Sequence, residues 1–241
     1  MNHNPRIAKS FITLMSIAGL CSVAYALIHR TAWHPYETLA LVAIGAVASR
    51  MNMKLPGFDG NMSVNLPFLM LAAAELNLAE VLAVALVSTA VQCIPKDGSK
   101  IKFERLVFNL SLMSCAVATA WQVFRMGTTA QHAWLSGALL LPFAALTLFL
   151  IQTVSVSLII TLTSGSQIGS TWTSIARMTL PYYTLSAGMA SMMLAARQHV
   201  GWQVPLLVLP LMYGIYRSYQ TYFVRDAAQQ PALSMAKAAG R

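Results

Sequence analysis

The stretch "MKLPGFDGNMSVNLPF", Met53 to Phe68, decides how this chain is read. Two prolines, two glycines, an aspartate and two asparagines stand here between long apolar runs. Pro56-Gly57 is a turn signal, because proline fixes φ and glycine supplies the positive φ of a type II turn. Asp59-Gly60-Asn61 extends that turn. Ser63 is then placed to N-cap the next helix, with Asn65 and Pro67 in its first turn. On this reading the stretch is a plain connection between two apolar segments. A second reading makes it a functional loop packed into a cavity, since irregular backbone at membrane depth persists only under cover of protein or water.

Working outward, the flanks settle the class. The 241-residue chain is 57% hydrophobic and only 10% charged, with a mean hydropathy of +0.61. Soluble domains carry about 25% charged residues, so the chain lacks the polar surface to dissolve. Eight apolar segments approach the length of about 20 residues that a crossing helix needs. They lie at 10–29, 36–53, 62–78, 79–95, 103–123, 133–163, 179–196 and 202–220. The third and fourth meet at "ELNLAE", Glu75 to Glu80, as a tight hairpin, and the sixth extends past the bilayer as a helix. "MNHNPRIAKSFITLMSIAGL" has no small-x-small cleavage site and reads as a retained first helix.

The net charge of +9 invites a nucleic-acid reading, but the basic residues sit at the ends of apolar runs, not on one face. They obey the positive-inside rule. With the N-terminus inside, thirteen of the 16 Lys and Arg residues fall on the cytoplasmic side, leaving Arg30, Arg125 and Arg197 opposite. The expected architecture is therefore all-α: a polytopic transmembrane helical bundle with both termini inside. Residues 1–226 form the membrane domain and 227–241 a short, disordered cytoplasmic tail. The rule does not test whether 62–95 crosses twice.

The chain offers no hydrolytic constellation, no metal-ligand spacing among its five histidines, and no HExxH, Walker or GxSxG motif. We expect no enzyme activity, cofactor or metal, and no nucleic-acid partner. Cys21, Cys93 and Cys115 read as buried small apolar residues. Glu37, Glu75 and Glu80 fall at helix ends on the outer side, Glu75 being either interfacial or intramembrane. Polar residues inside the helices, Asn109 and the patch Gln152, Thr153, Ser155 and Ser157, either pack helix on helix or line a small cavity. Gly45 with Ser49, and Ala187 with Ser191, read as close-packing pairs, and the five tryptophans as an aromatic belt. If a cavity binds a ligand, the candidate lining is Asn65, Asn109, Gln152, Thr153 and Ser155.

The order of four features resembles a known family. An "LPG" turn leads into an apolar hairpin, Leu55 to Ile94, and a basic loop into "FNLSL", Phe108 to Leu112. A polar-patched helix, "LFLIQTVSVSLIITLTSG", precedes a loop containing Trp172, and "PLLVLPLMYGIYRSYQTYFVRD" runs from Pro205 to Asp226. Together they look like the membrane-associated sensor domains that precede GGDEF and HD-GYP modules in bacterial signalling proteins. The resemblance implies a sensory or ligand-binding module of the bacterial inner membrane, with an unknown small ligand and a signalling partner chain. Such domains often carry asparagine where Gln152 stands. No output domain is expected in the 15 residues after Asp226, "AAQQPALSMAKAAGR". A fainter similarity, to the substrate-binding subunits of energy-coupling-factor vitamin transporters, implies a solute-capturing subunit instead.

Overall fold

The computed structural model describes residues 5–29, 33–54, 61–95, 101–129, 137–201, 203–218 and 220–221. Among them eight helices form one bundle. In chain order they are α1 (Pro5–Ile28), α2 (Pro35–Arg50), α3 (Leu66–Glu75), α4 (Leu78–Cys93), α5 (Phe103–Thr129), α6 (Gly137–Ser164) and α7 (Ile168–Val200), then α8 (Val204–Ser218). Between α2 and α3 two three-residue strands, β1 (Asn52–Lys54) and β2 (Asn61–Ser63), pair antiparallel, with Asn52 opposite Ser63. Three helical stretches, Ile7–Ile28, Phe103–Thr128 and Leu139–Ser164, are long and apolar enough to cross a membrane. Only 11% of the most apolar window of α1 is buried, and Leu14, Ile17, Leu20 and Ile28 stand exposed along it. An apolar surface of that extent belongs against lipid or another apolar partner.

The sequence-based boundaries need five corrections. The second segment stops at Arg50, because the chain passes into β1 by Asn52. The third does not start at 62: Asn61–Ser63 is strand, and α3 begins only at Leu66. Ser63 is accordingly no N-cap; that position belongs to Asn65, whose side chain makes no cap bond. The seventh segment is longer than expected: α7 has 33 residues against an expected 18, while α6, at 28 residues, has the excess length expected of it. Trp172 lies inside α7 and not in a loop, since Thr and Ser dilute the hydropathy of that stretch without breaking its helix. Pro56-Gly57 and Asp59-Gly60, the tail at 227–241, Trp134 and Trp202 lie outside the described residues.

Directions follow from named contacts. α2 and α4 run parallel: Thr38 bonds Glu80 near their starts, and Arg50 bonds the Ile94 carbonyl near their ends. They pack closely because Gly45 leaves no side chain between them. A Cβ there would stand 2.6 Å from Ser88 Oγ. α1 and α5 are also parallel, with Gly19 against the Ser111 backbone and Phe11 beside Phe108. The parallel pair α2 and α4 requires a returning element between them, and β2 with α3 supplies it. α3 packs against α2, α4, α5, α6 and α7, and every residue from Leu66 to Ala73 is buried. A helix apolar all round is a core helix, and α3 is the axis of this bundle.

Candidate functional site

Ten residues of helix span about 15 Å, half of the roughly 30 Å hydrocarbon thickness. α3 is thus a half-helix, and each of its ends exposes backbone groups that the core must satisfy. Both ends are met by side chains from elsewhere in the chain.

At the N-terminal end the partner is Tyr182 of α7. Its hydroxyl donates to the Ser63 carbonyl at 2.7 Å and accepts from the Leu66 amide at 3.3 Å, closing the junction between β2 and α3. Around it, Ser63 Oγ lies 2.7 Å from Asn65 Oδ1 and 3.0 Å from Gln92 Oε1. Asn65 is buried, and its Nδ2 is left without a partner among the described residues. Buried polar backbone and side chains thus converge where the chain changes from strand to helix.

At the C-terminal end the partners are charged. The Leu76 carbonyl accepts from Trp121 Nε1 at 3.1 Å and from Arg125 Nη2 at 3.0 Å, and the Arg125 guanidinium lies 5.3 Å from the Trp121 ring centre. A cation at a helix C-terminus meets the negative end of the helix dipole. Arg197 of α7 pairs with Glu75 of α3 and, at 2.8 Å, with Glu37 of α2. One guanidinium therefore ties three helices at this end. The chain turns at once into α4 through a capping box. Asn77 Oδ1 accepts from the Glu80 amide at 3.0 Å, and Glu80 Oε2 accepts from the Asn77 amide at 3.1 Å. Glu80 is 1% exposed, yet Oε1 also accepts from the His34 amide at 2.5 Å and Thr38 Oγ1 at 3.0 Å. Those bonds fill the lone pairs of a buried carboxyl group, which would be costly to place in the core without partners.

The sequence-based candidates do not meet in one place. Asn65 belongs to the Tyr182 junction. Asn109 on α5 donates toward Cys93 Sγ of α4 at 3.5 Å. Gln152 of α6 accepts from the Tyr183 hydroxyl of α7, and its Nε2 lies 3.1 Å from Met113 Sδ of α5. Thr153 donates to the Phe149 carbonyl and accepts from Trp172 Nε1. Ser155 stands half-buried on α6. Gln152 and Thr153 act here as ties between helices. Two surface clefts, of about 450 Å³ between α1 and α5 and about 600 Å³ along α7 from Leu180 to Met192, are lined by none of the five.

Sequence reasoning missed Tyr182, Arg125, Arg197, Gln92 and the cap role of Asn77. Two signals were available. Asn77 and Glu80 have the spacing of a capping box. The side expected to be poor in charge carries Glu37, Glu75 and Glu80 beside Arg125 and Arg197, an inventory that balances best by mutual pairing. Nothing in the sequence marks Tyr182. Comparison with known protein families, with curated proteins and with solved structures finds no match for this chain.

Proposed function

We propose that this chain is a multi-pass protein of the bacterial inner membrane, working as a non-catalytic sensory or ligand-binding module. The contacts that orient α1 to α7, with β2 continuing α3, fit helices that alternate in direction across a bilayer. The observation that carries the reading is α3. It is a buried half-helix held at its N-terminus by one tyrosine hydroxyl and at its C-terminus by a cluster of charges. Non-helical backbone at such depth is tolerated only where protein covers it. A stimulus that binds better to one of two positions of such an element shifts the population toward it. α7 contacts both ends of α3, so a displacement of α3 is felt along α7 and passes toward the basic side.

A solute-capturing subunit of a transporter is the second reading, favoured by the same feature, because discontinuous helices form many transport sites. Cross-linking in native membranes, followed by purification of the chain with its neighbours, separates the two. Recovery with a cyclase, phosphodiesterase or kinase chain supports the sensor. Recovery with an ATPase and its membrane coupler supports transport. Recovery of the chain alone counts against both.

A further inference from the structure

The cleft between α1 and α5 has no part in the ties around α3. The two helices touch closely at Gly19, where an added Cβ would stand 2.8 Å from the Ser111 Cα. The cleft, of about 450 Å³, opens further along. Cys21, Ser22 and Tyr25 of α1 form one wall, Thr119 and Gln122 of α5 the other, and Leu78 at the start of α4 the floor. That volume lies within the range of small-molecule sites, roughly 300–1,000 Å³.

Its polar groups are unusual in their setting. Both walls lie within stretches apolar enough to cross a membrane. Ser22 and Thr119 direct their hydroxyl hydrogens onto their own helices, at Ala18 and Cys115. The Tyr25 hydroxyl and the Gln122 amide have no hydrogen-bond partner among the described residues. Within the hydrocarbon layer a carboxamide needs a partner that lipid tails cannot supply. Among the described residues no Lys, Arg, Asp or Glu lines the cleft. Leu14 and Ile17, both exposed, continue the row of Cys21 and Tyr25 along α1 at helical spacing.

We propose that this cleft binds a neutral membrane amphiphile. Gln122 and Tyr25 hold a small head bearing a hydroxyl or carbonyl group, and the tail lies along Leu14 and Ile17. With no cationic side chain among the described lining residues, the cleft favours an uncharged head over the phosphate of a phospholipid, since an unpaired anion in an apolar cleft is strongly disfavoured. This inference rests on the membrane reading above.

The test uses the full chain in native membranes and two photoreactive probes: a monoacylglycerol with a diazirine in its acyl chain, and the matching phosphatidylglycerol. The monoacylglycerol is expected to label peptides of α1 and α5 in excess over the lipid-facing surface of α6. Gln122→Leu and Tyr25→Phe are each expected to lower labelling at α1 and α5 several-fold. Labelling of α6 in the same samples stays constant and serves as the check on folding. Unchanged labelling in both variants overturns the proposal, as does equal labelling of the cleft by phosphatidylglycerol. Those results leave the membrane reading standing because α6 is still labelled. Absence of label on every helix from both probes overturns that reading and this site with it.

Discussion

Tyr182 shows how much of this structure rests on single atoms. Its hydroxyl donates to one carbonyl and accepts from one amide where the chain passes from β2 into α3. Tyr182→Phe keeps the ring and strands both groups, each costing about 1–3 kcal/mol when buried without a partner. Thermal unfolding in detergent should show a clear loss for this variant and little for Tyr213→Phe, whose side chain is exposed. Arg197 makes a different case, because its two carboxylate partners would face each other without it. Arg197→Met is expected to cost roughly 3–5 kcal/mol, the range for stripping one partner from a buried pair, with Glu37's partial exposure favouring the lower end. Adding Glu37→Gln and Glu75→Gln should recover much of that loss. A triple variant no more stable than Arg197→Met would mean that the cluster does not act as one unit.

At the scale of elements, close backbone contact sets the tolerances. At Gly19 the obstacle to a side chain is the Ser111 backbone, so Gly19→Ala must push α1 off α5, at a cost of about 1–3 kcal/mol by the usual penalty for overpacking. At Gly45 the obstacle is the rotatable Ser88 hydroxyl, and Gly45→Ala should be milder. Ranking the two variants by unfolding midpoint checks this, and the reverse order would contradict it. The same contrast explains which elements were legible in the sequence. α1 and α5 were, because unbroken apolar length is a signal that composition alone carries. α7 was half-read, because "TWTSIARMT" interrupts its hydropathy but not its backbone. β1 and β2, at three residues each, are too short for any alternation to register. Of the candidate residues, Gln152 and Thr153 were recognised as polar groups inside a helix, and Asn65 as a first-turn residue of the helix after the connection. Their partners were not, since Tyr182, Tyr183 and Trp172 come from a helix far along the chain.

For the whole molecule, the alternating helix directions make a definite statement about sidedness. Tyr36 is exposed at the end of the bundle that holds Glu37 and Arg197, and Lys102 is exposed at the opposite end. Ala79, in the first turn of α4, reports on the chain just after α3. In right-side-out vesicles of a cysteine-free background, Tyr36→Cys and Ala79→Cys should react with an impermeant maleimide from one side and Lys102→Cys from the other. Ala79→Cys reacting on the same side as Lys102→Cys would mean that β2 and α3 do not return the chain across the bilayer.

The half-helix also has a consequence in time. At about 15 Å, α3 cannot anchor itself across lipid while it is being made, and the hydroxyl that closes its first turn lies 116 residues downstream. At a synthesis rate of about 5–20 residues per second, the start of α3 is synthesised roughly 6–23 seconds before Tyr182. Over that interval the Leu66 amide lacks its native partner. The nascent chain therefore holds the future axis of the bundle in a provisional place, sheltered by α2 and α4 or by the insertion machinery. Its final docking is a late event, governed by the arrival of α7.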